Sequence, residues 1–127
     1  MLETILKSVS SRSLELIICE NEYIQQINNQ FRQKDVPTDV LSFPIDNEIV
    51  LKNLPLGTII ISINFVKEKS KQLGHTQFDE FCLLFIHGLL HLIGYDHECD
   101  NGEHRKEEEK LIKKFNLPKS LILRNSI

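Results

Sequence analysis

Positive charge is not in excess in this chain. Fifteen Lys and Arg stand against eighteen Asp and Glu, for a formal net charge of −3 and a pI near 5.9. No global field therefore draws it toward nucleic acid, and any such binding must be local. Long apolar runs are missing too: the longest ends at Gly94 and carries two histidines, short of the ~20 residues a membrane span needs. The start, MLETILKSV, has an early Glu3 and no long apolar core or cleavage site, so no secretory signal is expected. Cysteine is sparse and odd in number, at Cys19, Cys82 and Cys99, with no C-x-x-C spacing. That suits reduced thiols and excludes a disulfide framework. Repeats, linkers and low-complexity segments are absent as well. These absences point to a soluble, cytoplasmic protein with no membrane partner.

At 127 residues and 41% hydrophobic content, the chain is expected to form one domain, residues 1–127, able to bury a sizeable core without a disulfide. Its chemistry concentrates in residues 81–97, FCLLFIHGLLHLIGYDH. On an α-helix, His87 and His91 stand one turn apart on nearly the same face, about 6 Å along the axis. His97 would lie ~15 Å further on if the helix continued, so the chain must turn back to bring it in. Gly94 permits that turn, because glycine accepts the left-handed conformation that ends helices. Three neutral imidazoles in a His-x3-His-x5-His pattern suit zinc, with a fourth position left to water. A lone histidine on an apolar helix is usually a buried, hydrogen-bonded residue. Three in one nearly apolar run would cost roughly 1 to 3 kcal/mol each if unpaired, and a shared metal removes much of that cost. His75, in a turn, and His104, in a charged C-terminal stretch, are read as standing outside the metal set. Cys99 is read as a loop thiol that would close the coordination if it approached the metal.

The zinc proteases carry H-E-x-x-H with the Glu as general base. Here that position is Gly88, and no methionine follows Met1 to underlie the site. The sequence HGLLHLIGYDH instead resembles the H-G-x-L-H-L-x-G-Y-D-H signature of the YbeY family, bacterial metal-dependent endoribonucleases of ribosomal RNA maturation. A second stretch, FRQKDVPTDVLSFP at 31–44, resembles the family's Y-R-x-K-D-x-P-T-D-V-L-S-F-P, with Phe31 for the Tyr. Physically, Arg32 and Lys34 need only reflect positive charge favoured at a helix C-terminus. The resemblance implies more, since the family's functionally critical Arg falls on Arg32. Gly74-His75-Thr76 matches a further family turn, and Thr58 departs from an acidic position. The likeness covers about residues 14–117. It implies a strand and a longer helix before Leu14, where only some thirteen residues stand.

The remaining elements follow from periodicity. A short helix is expected at 2–9, a strand covered on both faces at 14–19, and a helix capped by Asn21 with Ile24, Ile27 and Phe31 as its buried stripe. A short strand at 40–43 should precede a variable connection at 45–55. The strand at 56–63 alternates, with Ile59, Ile61 and Ile63 on one face and Thr58, Ile60 and Ser62 on the other. A helix capped by Asn64 should run to Leu73. Thr76 and Asp79 make a capping box for the central helix, 77–94. The charged run after His97 should form a solvated helix with Arg105 beside Glu109, buried at its far end by Leu111, Ile112 and Phe115.

The expected fold class is thus α+β: a zincin-like domain with a small mixed sheet of three or four strands around a buried helix carrying the metal motif. Zinc, one ion, is the expected cofactor, with His87, His91 and His97 as ligands and Arg32 and His87 as the catalytic pair. A dication with a nearby Arg suits an anionic phosphodiester. The resemblance implies a single-strand-specific endoribonuclease acting in 16S rRNA 3′-end maturation and ribosome quality control. Its expected partners are single-stranded RNA, ribosomal RNA and the small ribosomal subunit; DNA is not expected. Asp96 is read as a residue that orients a ligand imidazole. The competing functions are a zincin-like metalloprotease, against which Gly88 counts, and a ribosome-associated binding protein with a structural metal.

Overall fold

The structure is a computed structural model and describes residues 1–45, 55–95 and 102–118. Its elements are α1 (Leu2–Val9), β1 (Glu15–Cys19), α2 (Asn21–Arg32), β2 (Val40–Pro44), β3 (Gly57–Ser62), α3 (Ile63–Leu73), α4 (Gln77–Leu92) and α5 (Glu103–Lys114). The fold is α+β, as expected, with a mixed sheet in the order β1-β3-β2. β1 runs parallel to β3, with Ile17 opposite Ile60, and β2 runs antiparallel to it, with Leu41 opposite the same residue.

Alternation along β3 divides the core as its sequence predicts. Ile59 and Ile61 face α4 and join the main cluster with Leu83, Leu84, Ile86, Leu89 and Leu90. Ile60 points to the other side, where Ile24 of α2 and Leu41 of β2 cover it. The strand buried on both faces is therefore β3. β1 was expected in that role, but it is an edge strand, and Ile18 stands 55% exposed. A continuous apolar run of five or six residues does not distinguish a central strand from an edge one.

α4 is apolar nearly all round, and eleven of its residues are buried, as a helix enclosed by sheet and helices must be. Its start is the expected capping box: Thr76 Oγ1 accepts from the Asp79 amide at 3.0 Å, and the Thr76 amide donates to Asp79 Oδ2 at 3.3 Å. Three residues after His91, the last histidine of the helix, the chain leaves it through Gly94, at φ +110°. Cys82, fully buried in α4, has its thiol pushed up to about 11, first by burial and then by the nearby Asp79 carboxylate. It is a small residue of the core.

The helix starts differ from expectation in one respect. α2 begins after Glu20 and α3 is capped by Ser62, whose Oγ accepts from the Phe65 amide. Asn21 and Asn64, expected as caps, instead tie the two helices together: the Asn21 amide donates to Asn64 Oδ1 at 2.8 Å, and Ser62 Oγ donates to Asn21 Oδ1 at 2.7 Å. On α2 the buried stripe is Ile24 and Asn28, with Phe31 58% exposed.

Candidate metal centre

Helix periodicity places His87 and His91 on one side of α4, and their Nε2 atoms are 3.2 Å apart. Two ligands held ~2.0 to 2.1 Å from one ion at a tetrahedral angle would stand about 3.3 Å apart. The pair thus has the spacing of two ligands to one metal. From α5, the His104 ring packs against both, with centroids 4.7 Å from His87 and 4.8 Å from His91. One nitrogen from each of the three rings lies within 4.8 Å of the others, so the group can hold a metal ion.

His104, which the sequence reading left outside the set, lies against it in the structure. Its ring is buried; Nδ1 lies 3.3 Å from Glu108 Oε1 and Nε2 lies 3.4 Å from the His87 carbonyl oxygen. The expected third ligand, His97, lies outside the described residues, as do Asp96 and Cys99. A signal for His104 was present in the sequence. His104, Glu108, Leu111 and Phe115 follow at intervals of four, three and four, which continues the buried stripe of α5 back to its first turn. High charge elsewhere on the helix masked it.

Glu108 is the other residue that sequence reasoning passed over. Its side chain is 1% exposed, and its Oε1 lies 2.5 Å from His87 Nδ1. The second buried acid, Glu80, meets His75 Nε2 at 2.9 Å. His75, read as a turn residue, is therefore one half of a buried pair and lies apart from the group formed by His87, His91 and His104.

Beside His87 and His91 opens a cleft of about 530 Å³ between β2 and α4, lined among others by Arg32, Ser42, Phe43 and Tyr95. Arg32 reaches it from the last turn of α2, which Gln33 closes in the left-handed conformation at φ +55°. The exposed Phe31 ring leans on Phe43, centroids 5.3 Å apart. Gly88, the position of a protease's general base, faces the sheet instead: a Cβ there would lie 3.0 Å from Ile59 Cγ2 and 3.0 Å from Ser42 Oγ.

With this geometry in view, comparison with known proteins is decisive. The family model described as Endoribonuclease YbeY matches residues 1–116. The chain belongs to the YbeY family. The YbeY-family protein named Endoribonuclease YbeY from Sulfurovum sp. (strain NBC37-1) is 55% identical over 98% of this chain and 86% of its own length. A protein of the same name from Campylobacter jejuni (strain RM1221) is 50% identical over 97% of this chain and 90% of its own. Among solved structures, the solution structure of a Thermotoga maritima protein aligns at a TM-score of 0.58 and 31% identity, over 91% of this chain and 79% of that one. The YbeY match thus begins at the first residue, so α1 and β1 fall within it along with both motifs.

Proposed function

We propose that this chain, folded as one hydrolase domain over residues 1–127, is a zinc-dependent endoribonuclease that cuts single-stranded RNA. Its family membership and its relatives' names support the reaction class. We further assign it to ribosomal RNA processing, at the 16S 3′ end and in ribosome quality control, in the cytoplasm and with the small subunit as partner. In keeping with this placement, no helix among the described residues is long and apolar enough to cross a membrane.

The observation that carries the proposal is the shared cleft: Arg32 from α2 lines the same cavity as His87 and His91 from α4. His87 and His91 would hold the ion, with His104 against them and His97 as the ligand expected from the motif. A bound zinc would supply a Lewis acid that polarises a phosphoryl oxygen or activates water. Arg32 offers a planar fork able to grip two phosphate oxygens, which fixes the scissile group and stabilises charge growing on its non-bridging oxygens. Ser42 and Tyr95 give the cleft further polar groups for a ribose or phosphate. A protease would need an acid at position 88, where a side chain would press on Ile59 and Ser42 of the sheet.

Arg32 separates catalysis from metal binding, because a guanidinium has no lone pair to give zinc. Arg32→Ala is expected to keep its metal content and melting temperature while cleavage of unstructured RNA falls about 10- to 100-fold, the effect of a lost charge-assisted contact of roughly 1.5 to 3 kcal/mol. Arg32→Lys should recover only part of the rate, since it supplies charge without the fork. Full activity in Arg32→Ala would reduce the residue to finishing its helix.

A further inference from the structure

Glu108 is the most deeply buried acid beside the histidine group, and it touches that group twice. Its Oε1 is 2.5 Å from His87 Nδ1 and 3.3 Å from His104 Nδ1, while Oε2 is buried with no hydrogen-bond partner among the described residues. A carboxylate removed from water is costly unless it is paired. Placing one here, on α5, against rings that belong to α4 and α5, needs a reason.

We propose that Glu108 is the positioning residue of the metal centre, one carboxylate oxygen that accepts from the Nδ1–H of His87 and lies against the His104 ring. For His87 the consequence is specific. Holding the proton on Nδ1 leaves the Nε2 lone pair facing His91 Nε2, 3.2 Å away. The ring is thus locked in the tautomer and orientation a ligand requires. For His104 the same oxygen fixes a buried ring against both neighbours, so α5 is pinned to the ligand face of α4. A divalent cation at the cluster would in turn offset the charge that Glu108 buries. The proposal rests on the metal reading given above, although its geometry stands in the metal-free protein.

The test uses full-length protein and zinc alone as the probe. In wild type, nitrogen-15 NMR of the metal-free protein should report His87 as the Nδ1–H tautomer. Glu108→Ala should shift His87 toward the Nε2–H form and weaken zinc, measured by competition with a chromophoric chelator, about 10- to 100-fold. Glu108→Gln, which keeps an acceptor oxygen and the side-chain volume, should fall between the two. Glu109→Ala, on the same helix but paired with Arg105 at 3.9 Å, should change neither readout. Unaltered tautomer and zinc affinity in a folded Glu108 variant would overturn the proposal and leave a buried acid that only packs. Should Glu108→Ala fail to fold, the Gln variant decides by the same measurements. Absence of zinc binding in wild type would count against the metal reading, and the His87 tautomer would still decide the role of Glu108.

Discussion

A single missing side chain, at Gly88, brings α4 close enough to the sheet for His87 and His91 to border the cleft beneath β2. Ser42 Oγ donates to the Gly88 carbonyl at 3.3 Å across this contact, and Ile59, which a Cβ would press, is fully buried. Alanine normally gains about 1 kcal/mol over glycine within a helix, but overpacking a dense core costs roughly 1 to 3 kcal/mol. Gly88→Ala is therefore expected to lose about 1 kcal/mol of stability in urea unfolding, and Gly88→Glu to lose far more. A stabilised Gly88→Ala would show that Ile59 and Ser42 yield readily. The same contact bears on substrate class, because the acid a zinc protease needs would have to displace Ile59 and Ser42 at this seam.

Among the elements, α4 was open to reading from the sequence and α5 only half so. In α4, a capping box at Thr76 and Asp79, an unbroken apolar run and a glycine after the last turn all state the same structure, each through local chemistry. α5 showed its charges, and Arg105 does pair with Glu109, but His104 and Glu108 are polar residues buried by what lies across from them. Their burial is a tertiary fact, visible in sequence only as the backward extension of the Leu111–Phe115 stripe. His75 escaped for the same reason, since its partner Glu80 lies across the turn into α4. Both side chains of that pair are at most 2% exposed. His75→Ala takes the imidazole from a buried carboxylate, so it should cost about 3 kcal/mol in denaturant unfolding while zinc content stays at the wild-type level. A loss of zinc would instead tie this pair to the metal centre.

For the whole molecule, the decisive arrangement is that the candidate centre draws on distant parts of the chain. His87 and His91 are local to one helix, yet Glu108 meets His87 across 21 positions, and Arg32 arrives from another helix altogether. Local spacing made the first pair legible; the packing of α5 and α2 around α4 could not be read from spacing at all. On the metal reading, zinc binds the docked arrangement more tightly than any opened form. An ion at 100 times its dissociation constant then adds about 2.7 kcal/mol to the docked state. Amide hydrogen exchange should accordingly slow in α5 as well as α4 when zinc is added, and a chelator should reverse it; protection confined to α4 would show that α5 takes no part. A nuclease built this way has a safeguard against premature cutting. A chain still emerging, or one whose α5 has come loose, lacks Glu108 and His104 beside the His87–His91 pair, and on the metal reading it would give up its ion more readily and leave passing RNA intact.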